Sequence, residues 1–301
     1  MEYRNLGHNG PQVPVLGFGA WPIGGGMGDV DEQNAIVTVR TAIDSGITLI
    51  DTAQAYLTSE SVLGKALADG YRERCFLATK VSGKYSPQDI HIAIENSLRA
   101  LNVDSVDLYQ IHGWNPQYPI DESMATMARL QEEGKTRYIG VSNFNAVQMK
   151  LALGTSPFQS NQPRYSLLAR GIEAEDIPFC KENGIGILAH SPLAKGILTG
   201  KYRADYTFPA DDERRTKPEF QGERYLRALE AVVRLKTIAD DKGITLVQLA
   251  IAWLLRTPAV SCVLVGGKNP DQVTEHAGAA GVTFTPDELA AIDEMVSGVS
   301  V

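Results

Sequence analysis

LIDTAQAY (residues 49–56) is an apolar run that ends in a carboxylate and, five residues later, a phenol. Leu49 and Ile50 have the character of the end of a buried strand, and Thr52 to Ala55 that of the turn leaving it. Asp51 and Tyr56 are thereby set at the carboxyl end of a strand, where barrels of alternating strands and helices gather their reactive loops. Two later strands finish in the same way: FLATK (76–80) delivers Lys80 and VDLYQIH (106–112) delivers His112. A carboxylate, a phenol, an ammonium and an imidazole on three successive strand ends form a proton-donor site. A free phenol has a pKa of roughly 10 and needs neighbours that stabilise its anion before it can work near neutrality. Lys80 would do so by charge, and Asp51 would hold Lys80 charged and in place. A neutral His112 would orient a carbonyl while Tyr56 protonates its oxygen as a hydride reaches the carbon.

The alternation continues on both sides of this stretch. Strand patterns cover 16–19, 49–51, 76–80, 106–112, 138–141, 159–162, 187–190 and 263–265; helix patterns cover 31–45, 60–68, 87–101, 120–133, 146–153 and 175–183. Gly46, Gly134, Gly154 and Gly184 are expected to close helices in left-handed geometry, and Ser86 with Pro87 to cap and start one. Strand followed by helix, eight times over, predicts a (β/α)8 TIM barrel with right-handed crossovers, a single domain over residues 1–301. Ahead of it, 3–6 and 13–16 flank His8-Asn9-Gly10-Pro11, where Asn-Gly favours the positive φ angles of a tight turn. This N-terminal β-hairpin is expected to plug the barrel's bottom. LGFGAW (16–21) ends the first barrel strand, lets Trp21 project at the mouth, and leads into a glycine-rich loop over 24–28. Residues 201–221 show no periodicity and read as a long loop over the site. Extra helices follow at 222–242 and 246–255, and a last one opens on the capping box Thr285-Pro286-Asp287-Glu288.

Of the 301 residues, 44% are hydrophobic and 21% charged, ordinary for a folded chain with a large core. A net charge of -8 argues against nucleic acid or an anionic membrane as the main partner, so any phosphate site must be local. Cys75, Cys180 and Cys262, odd in number and far apart in apolar surroundings, read as buried thiols in a reducing compartment. Without a signal segment or an apolar run of spanning length, the chain is expected in the cytoplasm as a monomer or weak homo-oligomer.

The spacing D-x-x-x-x-Y with the strand-end lysine and histidine resembles the catalytic tetrad of the aldo-keto reductase superfamily. GVSNF (140–144), NQPRYSLL (161–168), SPLAKGILTGK (191–201) and GGKNPDQVTEHAGA (266–279) resemble its cofactor-binding segments, in order, so the resemblance covers nearly the whole chain. It implies an oxidoreductase that uses NADPH, with some use of NADH, to reduce an aldehyde or ketone. SPLAKGILTGK and the loop after it look closer to the bacterial general-reductase and potassium-channel β-subunit branches than to the long-tailed aldose reductases. Ser142, Asn143 and Gln162 then hold the nicotinamide carboxamide. Ser191, Pro192, Leu193, Gly196, Leu198 and Gly266 lie along the phosphates, and Lys268 meets the adenosine 2'-phosphate. Gln272, Glu275 and His276 match adenosine contacts, although relatives more often carry Asn at the last. His190 stands where relatives stack Tyr, Trp or Phe on the nicotinamide, and an unperturbed imidazole there would titrate near pH 6.5. Trp21 and Trp114 would line an aromatic pocket for the carbonyl substrate. The short tail after the last helix implies an open pocket.

Three other readings compete. The same tetrad would run a sugar or secondary-alcohol dehydrogenase in reverse. A cofactor-binding regulatory subunit would keep the fold with vestigial catalysis, against which the intact tetrad counts. A metal-dependent hydrolase is disfavoured because histidines 8, 91, 112, 190 and 276 lack H-x-H or H-E-x-x-H spacing. A Rossmann dinucleotide fold is excluded as well: its only letters, GIGILA (184–189), lead out of a helix into a strand, the reverse of the required order.

Overall fold

Period-two alternation along the short central strands sends their side chains into two environments. The strands are β3 (Leu16–Gly19), β4 (Leu49–Asp51), β5 (Phe76–Val81), β6 (Val106–Ile111), β7 (Thr136–Ser142), β8 (Ser160–Gln162), β9 (Gly186–His190) and β10 (Val260–Val265). They close a parallel barrel in chain order, with β10 returning to pair β3. The computed structural model describes every residue except Gly26, Asp29, Asp211 and Val301; at Gly26 and Asp211 the expectations for 24–28 and 201–221 fall outside the described residues. Outward-facing Ile50, Leu77, Tyr109, Ile139 and Ile187 join the large core between barrel and helices. Inward, Leu49, Ala78, Leu108, Leu188 and Cys262 pack into a separate cluster. Two residues further along four of these strands stand Asp51, Lys80, Gln110 and His190, so a polar layer sits directly above an apolar floor.

The floor is sealed from below by the hairpin β1 (Tyr3–Asn5) and β2 (Gln12–Pro14), whose Leu6 and Val13 are wholly buried against it. Its turn differs from the expected tight Asn-Gly form. Leu6 N–H donates to Pro11 O over 2.9 Å, and the left-handed residue is Gly7, at φ +73°, not Asn9 or Gly10. Docking explains the shift: His8 N–H bonds to Gly184 O, and a Cβ on Gly7 would lie 2.5 Å from that same oxygen.

Helices α1 (Glu32–Asp44), α2 (Ser59–Ala66), α3 (Pro87–Leu101), α4 (Ile120–Glu132), α5 (Ala146–Leu153) and α6 (Asp176–Asn183) cover the outside. They are followed by α7 (Gly222–Asp241), α8 (Leu246–Leu255), α9 (Pro270–Ala277) and α10 (Pro286–Met295). Ser86 caps α3 with Pro87 in its first turn, and Thr285 and Glu288 exchange both bonds of the expected capping box. Gly46, Gly134 and Gly184 are left-handed as expected, but Gly154 is not: at φ -63° it prolongs the right-handed turn of α5. The left-handed ends the sequence reading missed include Asn102, closing α3 at φ 55°, and Gly243, after α7, at φ 65°. Cys180 and Cys262 are buried, whereas Cys75 is half-buried.

Apart from Asp211, which lies outside the described residues, 201–221 form the long loop their lack of periodicity suggested, and that loop has a packed core of its own. Tyr202, Tyr206, Phe208, Phe220 and Tyr225 pack ring against ring with centroids 4.8–5.8 Å apart. Short 3-10 turns at Glu213–Thr216 and Pro218–Phe220 carry a buried Asp212–Arg214 pair at 2.5 Å. Aromatic side chains spaced without a period cannot signal a helix or strand, yet they build a local core.

Candidate active site

The polar layer inside the barrel is organised by Asp51. Lys80 Nζ, with no exposed surface, donates to Asp51 Oδ1 at 2.5 Å and to Thr52 O at 2.8 Å. The other carboxylate oxygen takes Gln110 Nε2 at 3.1 Å and Gln162 Nε2 at 2.9 Å. Burial acts to strip Lys80 of its proton, but the charge and hydrogen bond of Asp51, with Tyr56, outweigh it and hold the ammonium above the ordinary lysine value. A buried ammonium is tolerated only when paired and bonded in this way.

Tyr56 leans over this layer. Its hydroxyl lies 3.5 Å from Lys80 Nζ and 3.4 Å from His112 Nε2, and its ring meets Trp21 edge to face at 4.8 Å. Burial pushes the phenol above its ordinary value, while Lys80 pulls the other way and Asp51 adds to the rise. The sequence reading gave Lys80 the upper hand. In the structure burial wins, and Tyr56 is protonated at neutral pH, the state a proton donor requires. His112 is held neutral: burial, then Lys80, bring it down to about 3. Its Nδ1 lies 2.7 Å from Ser82 Oγ, and with that hydroxyl donating, Nε2 keeps its proton on the Tyr56 side.

Next to His112, Asn143 Nδ2 donates to His112 O at 3.1 Å and to Ser142 Oγ at 3.0 Å, while Ser142 Oγ donates to Gln162 O at 2.9 Å. Asn143 Oδ1 lies 2.9 Å from His190 Nε2, and Ser191 Oγ lies 2.9 Å from Nδ1. His190 is thus engaged at both nitrogens and brought down to about 3 by burial, with Lys80 and Arg164 adding to it. The expected titration near pH 6.5 is overturned, and no imidazolium forms here between pH 5.5 and 8.5.

These residues line one end of a cavity of about 680 Å³ that also reaches Pro192, Leu193, Gly196, Gly266, Gln272, Glu275 and His276. Its wall beyond β9 is wound left-handed at Ser191, Ala194, Lys195 and Gly196 (φ 58°, 47°, 53° and 101°), the kind of backbone strain that concentrates at ligand sites. Away from Tyr56 the wall is basic. Lys201 is held below its usual value by burial and then by Arg214 and Lys268. Lys268 donates to Met27 O, and Gln272 Oε1 accepts from the Lys268 N–H at 2.8 Å. Arg214 is fixed by Asp212, Tyr202 OH at 2.7 Å and Lys195 O at 3.2 Å.

Of the residues singled out from sequence, Asp51, Tyr56, His112, Trp21 and most of the cofactor set stand on this wall. Lys80 reaches Tyr56 from behind it. Leu198 is buried off the wall, and Trp114 packs edge-on to Phe144 at 5.3 Å, away from the cavity lining. The sequence reading missed Ser82, Gln110 and Arg214, and held Lys201 only as the last residue of the cofactor-binding segment 191–201. Ser82 and Gln110 carried a signal, since each lies two residues from an inward-facing site residue. Arg214 carried none, sitting in an aperiodic stretch.

His112 and His190 at about 3 and His276, brought by burial to about 4, predict an acid-sensitive fold. Unfolded, all three titrate near 6.5, so between there and pH 3–4 the unfolded chain binds more protons. The stability from their neutral burial is complete above about pH 6.5 and is lost as pH falls. The urea midpoint should therefore drop steadily from pH 7 to pH 5; a flat midpoint over that range would contradict these assignments.

The sequence profile described as the Aldo/keto reductase family matches residues 15–297. The chain is 37% identical over 310 aligned positions to the aldo-keto reductase YhdN of Bacillus subtilis (strain 168), spanning 98% of this chain and 94% of that protein. Among solved structures it is similar to the glycerol dehydrogenase AKR11B4 of Gluconobacter oxydans: TM-score 0.88, 33% identity, 99% of this chain and 95% of that one. The holo form of the aldo-keto reductase AKR11C1 of Bacillus halodurans superposes with a TM-score of 0.82 at 31% identity, over 100% of this chain and 98% of that one.

Proposed function

Because this chain belongs to the aldo/keto reductase family, oxidoreductases that act on carbonyl groups, we propose that it uses NADPH to reduce an aldehyde or ketone, with Tyr56 donating the proton. The observation that carries this reading is the phenol placed between His112 and a lysine that Asp51 keeps charged. When bound, the coenzyme supplies the hydride. His112 Nε2 and Tyr56 OH hold the carbonyl oxygen between them, which polarises the carbon and fixes which oxygen receives the proton. As negative charge develops on that oxygen, the proton leaves Tyr56, and Lys80 offsets the phenolate charge from behind. Trp21 packs edge to face against the Tyr56 ring and holds it at the reacting end.

The fit to a nicotinamide dinucleotide rests on the chemistry of the wall. Among the described residues no hydrogen bond reaches Gln162 Oε1, and the far arm gathers Lys201, Arg214 and Lys268 in a chain whose net charge is -8. Ser142, Asn143, Gln162 and His190 would hold the nicotinamide end; Ser191, Pro192, Leu193, Gly196 and Gly266 would follow the phosphates, with Leu198 supporting their backbone. Lys268, with Lys201 and Arg214, would meet the 2'-phosphate, and Gln272, Glu275 and His276 the adenosine. The protein works as one barrel domain in the cytoplasm, as a monomer or weak homo-oligomer. Among the described residues no helix is long and apolar enough to cross a membrane.

Oxidation of NADPH in the presence of 4-nitrobenzaldehyde tests the reaction, and absence of turnover across a panel of aldehydes and ketones would refute it. For the coenzyme, Lys268→Ala should raise the KM for NADPH about tenfold, through loss of a charge-assisted contact, and leave that for NADH unchanged. Equal effects on both would remove Lys268 from the 2'-phosphate. The likeness to a glycerol dehydrogenase favours one second reading, alcohol oxidation by the same residues. Since each proton step is reversible, the ratio of coenzyme forms sets the direction, and assays run both ways separate the two.

A further inference from the structure

Asp51 faces two ways. One oxygen holds Lys80 and through it the proton donor; the other accepts from Gln110 and Gln162. An ionised carboxylate only accepts, so both amides must turn their NH2 groups toward it, and the direction of each is decided. Gln162 Nε2 then gives its second N–H to Gln110 Oε1 at 3.1 Å. Both Gln162 donors are consumed inside the barrel, and Oε1 is the part left for a ligand. The arrangement has room because β7 carries Gly140 here, where a Cβ would lie 3.3 Å from Gln110 Cγ and 2.5 Å from Ser160 Oγ. The adjoining groups are committed in the same sense. Asn143 spends both N–H groups on His112 O and Ser142 Oγ, and the Ser142 hydroxyl is spent on Gln162 O. Beside the Tyr56 and His112 donors that face the carbonyl, these amides therefore leave a ligand an acceptor, Gln162 Oε1, that asks for a donor.

We propose that Asp51, besides holding Lys80, is the positioning residue that commits Gln162 to act as an acceptor toward the N–H of the nicotinamide carboxamide. One carboxylate thereby ties the proton-donor half of the site to the half that orients the hydride donor. The proposal rests on the nicotinamide reading above. It makes a claim about polarity that a merely structural carboxylate would not make. In Asp51→Asn the side-chain oxygen is kept by Lys80, so the new NH2 group faces two amide NH2 groups. Relief requires the glutamines to rotate, which points the Gln162 donors into the cavity.

The probe is 3-acetylpyridine adenine dinucleotide phosphate, whose methyl ketone keeps the carbonyl of NADP+ but has no N–H. Binding is read from tryptophan fluorescence, so activity does not enter. The wild-type protein should bind NADP+ about tenfold more tightly than the analogue, the effect of leaving one buried acceptor unpaired. Tyr56→Phe, which keeps Asp51, and Gln110→Leu, in which Gln162 still faces the carboxylate, should preserve that ratio. Asp51→Asn should bring it to one or invert it. If Asp51→Asn does not fold, Gln162→Met decides: the ratio should fall to about one through loss of the acceptor. Equal wild-type affinities, or a ratio unchanged in Asp51→Asn or in Gln162→Met, overturn the proposal. Repeating the series with NAD+ and its acetylpyridine analogue separates a failure at the 2'-phosphate from a failure here. No binding of either dinucleotide would overturn this proposal and the nicotinamide reading together.

Discussion

Replacing Tyr56 with phenylalanine is expected to lower kcat by ~10²- to 10⁴-fold, the usual contribution of a positioned general acid, while NADPH affinity stays nearly unchanged. The separation follows from the geometry. The phenylalanine ring keeps the edge-to-face contact with Trp21, so the cavity wall is preserved and only the hydroxyl near Lys80 and His112 is removed. A variant that kept about a third of the wild-type kcat would show that the proton comes from elsewhere, whatever its effect on KM.

Lys80→Met should cost both activity and stability. The phenol loses the one charge that draws its proton affinity down, so proton donation slows in step with the Tyr56 variant. At the same time Asp51, 4% exposed, is left as an unpaired buried carboxylate, which typically destabilises a fold by about 3–5 kcal/mol. Pairing it with Asp51→Leu should recover much of the stability and none of the activity, because two apolar side chains can replace a buried ion pair but cannot assist a phenol. Urea denaturation of the single and double variants measures this; a double variant as unstable as Lys80→Met would show that the barrel interior does not tolerate an apolar layer at this level.

The barrel was legible because each β/α unit announces itself locally. Apolar strands ending in polar residues, and helices with caps such as Ser86 and Thr285, are properties of short stretches and survived folding almost unchanged. The meeting of Asp51, Tyr56, Lys80 and His112 was legible for the same reason: strand ends fix where Asp51, Lys80 and His112 emerge. What local pattern could not carry was the partner of each polar group. Ser82 beside His112 and Gln110 beside Asp51 become visible once the strands are in register. Positions whose conformation depends on docking also escaped, as at Gly7, held against Gly184 and not in an isolated hairpin turn. The same holds for His190, whose ordinary titration was removed by burial and by cations contributed from β5 and from the segment after β8. The internal packing of the loop over 201–221 escaped, although its place over the site did not, because a core made of aromatic side chains at irregular spacing has no sequence period to detect.

Direct transfer of hydrogen from coenzyme to carbonyl carbon, with the proton on oxygen supplied through Tyr56, is the centre of this account, and isotope tracing tests it most directly. NADPH deuterated on both hydrogens of C4 of its nicotinamide would be turned over with 4-nitrobenzaldehyde in ordinary water, and the alcohol analysed by mass spectrometry and proton NMR. The account predicts one deuterium on the benzylic carbon of the product, and no deuterium at that carbon when unlabelled NADPH is used in heavy water. Label arriving on carbon from the solvent, or coenzyme oxidised without label appearing in the alcohol, would contradict it.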